Sequence, residues 1–366
     1  MRHSVTKRIL RIVQYRILKD KYGLMIEMIR RDDTESIIRQ GLKANDLPSE
    51  NPGSGLGASY GKVEINNQDL KRFKKRTIFH RVLGSGTTPI DMQDQFRGYL
   101  EYKTPVFLIL GGPSLNKLDL ASLADSGILT MGVNNSWSVY TPDFWTCVDP
   151  PRKFLFSGWS DPSITKFVPA NCSRKALRQK TGDRFRELSL TPSDCPNTIF
   201  YQRNSSFDHQ TFLLEDTVNW GNATKGIDSL GFKSCRSVML AAIKILFVLG
   251  FRRIYLLGCD FKMEPFGDNY AFDQDRTTHS VKGNNRSYKT LNERFKAMRP
   301  YFEYNGLEVL NCNPNSGLEA FDHVDFSEAL SLEESLMVQG ETTHGWYEGE
   351  KKDKEKRKSR KQRALK

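Results

Sequence analysis

The sequence predicts an α/β domain with a doubly wound, mostly parallel sheet over residues 101–337. Continuous apolar segments of strand length recur in this region, as they do in parallel strands that are buried on both faces. Segments with helical periodicity alternate with them, which is the pattern that right-handed crossover connections produce. The predicted strands end in glycine or polar residues, as strands do where a sheet edge carries a ligand site.

The predicted elements follow one another as expected for strands joined by crossover helices. Val106–Leu110 is the first strand, and Gly111-Gly112 ends it. Arg252 and Arg253 lead into the clearest buried strand, Ile254–Gly258. The other predicted elements are strands at Ile128–Val133, Phe144–Val148, Thr198–Tyr201 and Leu307–Leu310, helices at Ser237–Gly250, 287–303 and Ser327–Met337, a polar section at 151–230 and a polar loop at 259–285.

Glycine or polar residues follow five of the predicted strands. The carboxyl ends of parallel strands lie at one edge of a sheet, and ligands bind there. The sequence therefore predicts one site that is formed by Gly111-Gly112, Asn134-Asn135, Asp149, Gly258-Cys259-Asp260 and Asn311-Cys312-Asn313.

The net charge of +12 is concentrated at the two ends of the chain. Residues 1–31 carry nine Lys/Arg against two acidic residues, and residues 351–366 carry ten against two, which leaves residues 32–350 at about −3. This distribution disfavours a nucleic-acid-binding body, which usually has a basic face. The predicted organisation is a basic amphipathic helical extension at 1–46, a linker and irregular segment at 47–100, the domain at 101–337 and a disordered basic tail at 338–366. The basic ends could contact an anionic membrane surface.

Cysteine usage and hydropathy predict a cytoplasmic location, and the basic ends add a peripheral position at the inner membrane face. The six cysteines form no C-x-x-C pair and no His/Cys cluster of zinc spacing, which is typical of free thiols in a reducing compartment. The basic start is not followed by the apolar core of a signal peptide, and no apolar stretch reaches 18 residues. A soluble oligomer is compatible with a domain of this kind.

The turn Gly111-Gly112-Pro113-Ser114 is the first candidate ligand motif. Glycines let the backbone approach a phosphate or a sugar, and the start of the next helix offers free N–H groups, although an ordinary tight turn would look the same. Gly53–Lys62 is not a phosphate loop, because Val63 stands where Ser or Thr is required. Asp273-Gln274-Asp275 is an Asp-x-Asp triplet of the kind that holds metal in many sugar transferases, but it lies in a loop, so no metal ligand is assigned.

His279 and Tyr270 are the candidate acid–base and phosphate-contacting residues of the 259–285 loop. A neutral imidazole can take a proton from a hydroxyl group near neutral pH. A phenol can donate a hydrogen bond to a departing phosphate oxygen. The alternative is that the tyrosine only anchors the loop on the sheet and that the histidine is an ordinary loop residue.

Several segments resemble two groups of bacterial glycosyltransferases. Phe107–Leu115 (FLILGGPSL), Met131–Asn134 (MGVN) and Pro142–Pro150 (PDFWTCVDP) are similar to the start of the Maf-type motility-accessory-factor family and to the CMP-sialic-acid-dependent sialyltransferases that act on lipooligosaccharide. Ser237–Phe261 matches both groups. The sialyltransferases are favoured by Gly258–Phe261, Tyr270–Asp273, His279-Ser280 and Asn313–Ser316, which occur in their order. The resemblance covers about 230 residues, without residues 1–100 or the tail.

The resemblance implies a Rossmann-like, GT-A-variant sialyltransferase-like fold and an inverting, metal-independent transfer. The donor would be a nucleotide sugar of the CMP type, and the acceptor a glycan or a lipid-linked hydroxyl; no cofactor would be required, with Mg²⁺ left open. His279 would be the general base and Tyr270 would bind the leaving phosphate. The implied donor-binding residues are Gly111, Gly112, Pro113 and Ser114 at the phosphate, Asn134 at the ribose or phosphate, Ser237 near the sugar, Asn313, Pro314, Asn315 and Ser316 at the cytosine, together with Asp149 and Asp260.

The sequence departs from the sialyltransferase pattern at Lys262, where that group carries a second phosphate-binding tyrosine. A lysine would neutralise the phosphate as a point charge. Asp149 points instead toward the Maf-type group, whose donors vary. Two alternatives stay open: a pterin-type pyrophosphokinase that uses ATP and Mg²⁺ with Asp149 or Asp260 as a ligand, and a nucleic-acid-binding protein whose domain glycosylates a DNA base.

Overall fold

The computed structural model describes residues 78–83, 86–90, 104–203, 207–221, 236–274 and 276–336. The predicted helical extension at 1–46, most of the 47–100 segment and the basic tail at 338–366 lie outside the described residues. None of the helices in the described ranges combines the length and the apolar character that crossing a membrane requires.

Most of the described strands belong to one mixed sheet, which confirms the α/β class. In chain order, the strands are β1 (Phe79–Leu83), β2 (Gly86–Ile90), β3 (Pro105–Ile109), β4 (Leu129–Val133), β5 (Phe144–Thr146), β6 (Thr165–Pro169), β7 (Arg178–Thr181), β8 (Arg184–Glu187), β9 (Thr198–Tyr201), β10 (Arg253–Leu257) and β11 (Glu308–Asn311). Nine of these strands pair in the order β11-β10-β3-β4-β5-β6-β9-β1-β2. The run from β11 to β9 is parallel, and β1 and β2 add an antiparallel hairpin at the edge.

Helices cover both faces of this sheet. They are α1 (Leu120–Ser126), α2 (Phe156–Ser160), α3 (Val238–Val248), α4 (Thr278–Tyr304) and α5 (Phe326–Leu336). Alternate residues of a strand point to opposite faces. In β3, Val106 and Leu108 share a core with α3 and α4, whereas Phe107 and Ile109 share another core with α1 and α5. Because both faces are buried, the strands are continuous apolar segments rather than alternating ones.

The order of the strands reverses at β3. From β3 the chain adds β4, β5, β6 and β9 on one side, and it then returns to the other side of β3 to add β10 and β11. The connections that leave β3 and β10 therefore diverge. In open α/β sheets such a reversal opens a crevice at the carboxyl ends of the two central strands.

Helix α3 is almost entirely buried, and all of its residues except Lys244 are apolar, as expected for a helix that is covered on all sides. Ser237 caps its start, where the side-chain Oγ accepts a hydrogen bond from the N–H of Met239 at 3.1 Å. Lys244 has no exposed surface, and its Nζ donates to the backbone carbonyls of Leu213 and Glu215 at 2.6 and 2.7 Å. The predicted helix is confirmed, and its one buried charge is satisfied by carbonyl oxygens.

The edge hairpin corrects the prediction that 47–100 is a linker and irregular segment. Residues Phe79–Ile90 contain β1 and β2, and β1 pairs with β9. Phe79 is 1% exposed, and its ring centroid lies 5.1 Å from that of Phe167 in β6. The folded domain therefore begins before residue 101.

Strand β6 and the first turns of α4 were not predicted, for two different reasons. Lys166 and Pro169 interrupt the apolar pattern of β6, yet Lys166 is buried because its Nζ donates to three backbone carbonyls. Helix α4 begins at Thr278 rather than at 287, because the Oγ of Thr277 accepts a hydrogen bond from the N–H of Ser280 and caps a polar first turn. His279 is therefore in a helix, not in the loop where the sequence analysis placed it.

Candidate functional site

The five strand ends that the sequence singled out lie along one edge of the sheet. Strands β11, β10, β3, β4 and β5 are consecutive and parallel, so the residues that follow them share the carboxyl edge. The shared edge is as predicted. The point where the strand order reverses, between β10 and β3, lies within it, and we call this point the crevice; Asp260 and Gly112 are in contact there.

The turn after β3 needs glycine at position 112. The Gly112 N–H donates to the carbonyl of Gly258 at 2.9 Å, which ties the turn to the end of β10. A Cβ atom added to Gly112 would lie 1.9 Å from Oδ2 of Asp260 and 2.6 Å from the carbonyl oxygen of Gly258. No L side chain fits this space, so the backbone of the turn lies directly against the carboxylate.

The carboxylate of Asp260 holds three loops together. Its Oδ2 accepts hydrogen bonds from the hydroxyl and the N–H of Ser114, at 2.8 and 3.3 Å, and its Oδ1 accepts one from Nδ2 of Asn313 at 3.2 Å. Both oxygens therefore already have donors from the ends of β3 and β11. This arrangement fits a residue that positions the crevice walls better than one that binds a metal ion.

The Asn313–Ser316 segment packs against the end of β10. The hydroxyl of Ser316 donates to the carbonyl of Cys259 at 2.5 Å, and the N–H of Gly317 donates to the carbonyl of Asp260 at 2.8 Å. Phe261 adopts a positive φ of 53° at this contact, which is uncommon for a residue with a large side chain. Burial raises the pKa of the Cys259 thiol, so this thiol stays neutral and is not a nucleophile.

Tyr270 forms a wall of the crevice above Gly111. Its ring stacks on that of Phe272 with centroids 5.2 Å apart, and the N–H of Ala271 donates to the carbonyl of Gly111 at 3.0 Å. A Cβ on Gly111 would lie 3.1 Å from the Phe272 ring and 3.5 Å from the Tyr270 ring. The glycine turn and the aromatic wall are therefore in close contact.

Arg276 is a site residue that the sequence analysis missed. Its Nε donates to the hydroxyl oxygen of Tyr270 at 2.9 Å, and its guanidinium lies 5.4 Å from the centre of the Tyr270 ring. Because the phenol oxygen accepts this bond, the O–H of Tyr270 is still able to donate a hydrogen bond to a ligand. The signal in the sequence was an arginine between the two singled-out residues, Tyr270 and His279.

The catalytic candidates are less closely connected than their order in the chain suggested. His279 is exposed in the first turn of α4, and Lys262 is exposed directly after Phe261. Among the described residues, no hydrogen bond or ion pair joins either of them to the glycine turn. Hydrogen bonds therefore connect the turn Gly111–Ser114 with Asp260 and Asn313, and Tyr270 packs against Gly111; we call these residues the bonded set, and His279 and Lys262 are outside it.

Asn134 ends β4 in a strained conformation. Its φ is 52°, and its backbone carbonyl accepts a hydrogen bond from Nε1 of Trp145 at 2.6 Å. The side-chain oxygens of Asn134 and Asn135 are buried and accept no hydrogen bond from the described residues, whereas Nδ2 of Asn135 donates to Oε1 of Gln274 at 3.5 Å. A buried acceptor of this kind favours a ligand that can donate a hydrogen bond.

Asp149 and Ser237 also lie at the carboxyl edge, but each already has a partner. Asp149 forms an exposed ion pair with Lys153 at 3.3 Å. Ser237 precedes a crossover helix, whose start lies at the edge where strands end, and its Oγ already caps α3. Within the described ranges, no three His, Cys, Asp or Glu side chains are grouped so that they could hold a metal ion; Asp275 of the acidic triplet is outside those ranges.

A separate groove of about 300 Å³ lies along β11. Its lining includes Arg299 and Asp322, which pair with each other at 2.6 Å, and it shares no residue with the bonded set around Asp260. The crevice is the better candidate, because the glycine turn, the unusual backbone angles and the aromatic wall all converge there. No protein-family model, curated protein or solved structure matches the chain.

Proposed function

We propose that this protein is a glycosyltransferase that moves a sugar from a nucleotide donor to the hydroxyl of a glycan or a lipid-linked acceptor. The observation that carries the proposal is the side-chain-free turn at Gly111-Gly112, which Asp260 holds in place and Tyr270 covers, at the reversal of strand order. The turn lies at the reversal of strand order on the carboxyl edge, which is where open α/β sheets bind nucleotides. A CMP-linked donor and a sialyltransferase-like, Rossmann-like version of the fold belong to the same proposal.

In this mechanism Tyr270 stabilises the nucleotide as it leaves. Its hydroxyl accepts a hydrogen bond from Arg276 and donates a hydrogen bond to a phosphate oxygen of the donor. Negative charge develops on this oxygen as the bond between the sugar and the phosphate breaks. The positive charge of Arg276 strengthens this donor. Lys262, which is exposed after β10, would supply a second positive charge to the phosphate.

The buried oxygens of Asn134 and Asn135 favour contact with the sugar or the base over the phosphate. Phosphate oxygens near neutral pH act mainly as acceptors, whereas ribose hydroxyls and the amino group of cytosine are donors. An unpartnered amide oxygen is satisfied only by a donor. We therefore assign the end of β4 to the ribose or the base, and the glycine turn to the phosphate.

His279 is the proposed general base that takes the proton of the acceptor hydroxyl. A base whose pKa lies near neutral contributes about 10²–10⁴-fold to such a step. Its exposed position in the first turn of α4 leaves it accessible to an acceptor that arrives from solvent. No observation among the described residues favours the pyrophosphokinase alternative, because Asp149 pairs with Lys153 and both oxygens of Asp260 accept hydrogen bonds.

The test is thermal stabilisation by CMP, CDP and ATP, each with and without Mg²⁺. A ligand at 100 times its Kd adds about 2.7 kcal/mol to the free energy of unfolding. We expect CMP or CDP to raise the melting temperature without metal, and Tyr270→Phe to weaken binding about 10- to 100-fold, since it removes a hydrogen bond to a charged group. Tyr304→Phe is the matched control, because Tyr304 ends α4, about 40 Å along the helix from its first residue, Thr278.

Two results would contradict the proposal. Stabilisation by ATP only in the presence of Mg²⁺ would favour the pyrophosphokinase, and no stabilisation by any nucleotide would remove the basis for a nucleotide-dependent transferase. If CMP binds, His279→Gln separates binding from chemistry: we expect unchanged CMP stabilisation and a loss of about 10²–10⁴-fold in the release of CMP from a CMP-linked sugar.

A further inference from the structure

The hairpin formed by β7 and β8 is a basic projection from the body of the protein. Positions 174–187 contain six Lys/Arg against Asp183 and Glu187. All residues from Gln179 to Glu187 are exposed, so neither face of the hairpin packs on the sheet. A two-stranded hairpin with both faces in water has little stability of its own. Something other than packing must account for its composition.

The root of the hairpin is firmly attached, which makes the projection a defined surface. Leu177 is fully buried with Trp145 and Trp159. Its N–H donates to the carbonyl of Leu190, and its carbonyl accepts from the N–H of Leu188, both at 2.9 Å. The register Lys180↔Phe185 then fixes which side chains share a face.

The hairpin combines cations on both faces with one exposed aromatic ring. Cross-strand partners lie on the same face, so Arg178, Lys180 and Phe185 share one face and Arg184 and Arg186 share the other. Phe185 is 62% exposed, and Arg178 and Lys180 lie 5.1 and 6.0 Å from its centroid. Glu187 lies opposite Arg178 on the first face, and within the described ranges no ion pair engages any of the four cations.

The hairpin lies at the same edge of the sheet as the crevice. It follows the carboxyl end of β6 after the short turn Ala170–Cys172, and β7 contacts the Pro151–Lys153 turn that follows β5 and Asp149. A surface that binds the hairpin would therefore face the edge where the candidate site opens.

We propose that the β7–β8 hairpin docks the protein on an anionic lipid surface. Cations at the phosphate level with an aromatic ring between them suit the membrane interface, where each Lys or Arg contributes to binding and the ring enters the headgroup region. The cations of this surface come from one short ribbon, whereas a duplex-binding face usually extends over the folded body. Docking of this kind would bring a lipid-linked acceptor close to the crevice, and this consequence rests on the proposed function. The docking itself does not rest on the proposed function.

Co-sedimentation of the full chain with vesicles, without any nucleotide, tests the docking. We expect binding to phosphatidylcholine vesicles that contain phosphatidylglycerol and not to phosphatidylcholine alone, with a decrease as salt rises. The double variant Arg184→Gln, Arg186→Gln should bind about 30-fold more weakly, from the contribution of two cations near an anionic surface. Phe185→Ser should weaken binding with less dependence on salt. The matched control is Arg286→Gln, Lys289→Gln, which removes the same charge from exposed positions of α4 and should bind as the unaltered protein does.

The proposal would be overturned if the unaltered chain did not bind anionic vesicles, or if the hairpin double variant bound them as tightly as the unaltered chain. It would also be overturned if the hairpin and α4 double variants weakened binding equally. Loss of DNA binding with unchanged vesicle binding in the hairpin variant would assign the surface to nucleic acid instead. The substituted side chains are exposed, so thermal unfolding of each variant should match that of the unaltered protein. Because no nucleotide is present, failure of this test is distinguishable from failure of the proposed transferase.

Discussion

Gly112 is the residue where the fold and the candidate site depend on the same contact. Its Cα lies so close to Asp260 and to the carbonyl of Gly258 that any side chain would displace backbone. The same closeness lets the Gly112 N–H donate to the carbonyl of Gly258 and the Ser114 N–H donate to Asp260, so these contacts determine the position of the turn. A substitution here should therefore affect stability and nucleotide binding together.

We predict that Gly112→Ala lowers the free energy of unfolding by about 1–3 kcal/mol, as overpacking does, and abolishes the stabilisation by CMP. Gly283→Ala is the control, since Gly283 lies inside α4 with nothing within 4 Å of an added Cβ. It should stabilise the protein by roughly 0.5–1 kcal/mol, because alanine favours a helix more than glycine does. Urea unfolding measures both. Unchanged stability of Gly112→Ala would mean that the turn is looser than its contacts indicate.

At the scale of elements, helix α3 is held to the neighbouring loop by a buried lysine. Lys244 donates to the carbonyls of Leu213 and Glu215 from the middle of an apolar helix. Burial lowers the pKa of Lys244 to about 7, with Glu215 and Asp216 opposing the shift. An unfolded lysine has a pKa of about 10.4, so between pH 7 and 10 the unfolded chain binds more protons at this position than the folded one.

We predict that the free energy of unfolding rises with pH in that window, relative to Lys244→Met, by up to about 1.4 kcal/mol per pH unit. The difference should level off below pH 7, where Lys244 is protonated in both states. Lys166, whose pKa burial lowers to about 8, is present in both proteins and cancels in the comparison. Urea unfolding from pH 6.5 to 9.5 measures the difference. A flat difference would mean that Lys244 remains an ammonium group throughout and that the two carbonyls outweigh the cost of burial.

At the scale of the molecule, the sheet extends beyond the region that the apolar pattern marked. The hairpin β1–β2 covers the edge of β9, and Phe79 joins the core that contains α3 and α4. An uncovered strand edge is prone to pair with other chains. The hairpin therefore belongs to the folded unit and protects its edge.

We predict that Phe79→Ala lowers the free energy of unfolding by about 3–5 kcal/mol, the usual cost of removing a buried aromatic ring. Thr87→Ala, at an exposed position of β2, should change it by no more than about 0.5 kcal/mol. Denaturant unfolding of both variants gives the two values. Equal stability of the Phe79 variant and the unaltered protein would place the start of the domain at β3, as the sequence analysis did.

The apolar segments and the polar residues after them were enough to predict the class of the fold and the edge that carries the candidate site. Strands β3, β4, β5, β9, β10 and β11 and helices α3 and α5 were predicted within one or two residues, because strands buried on both faces are continuous apolar segments. The polar residues after them had to share an edge, because parallel strands end on the same side. Neither inference requires knowledge of a long-range contact.

Contacts between segments that are distant in the chain determine which of those residues touch. Asp260 binds Ser114 across 146 positions, and Arg276 binds the hydroxyl of Tyr270, whereas His279 and Lys262 have no bond to the turn. Strand β6, with a lysine and a proline, and β1, in a segment that looked like a linker, are strands because of neighbours distant in the chain. The local pattern of apolar residues indicates which segments are buried, but strand pairing and side-chain contacts depend on partners that are far apart in the sequence. The bonded set of the crevice could therefore be identified only in the folded chain.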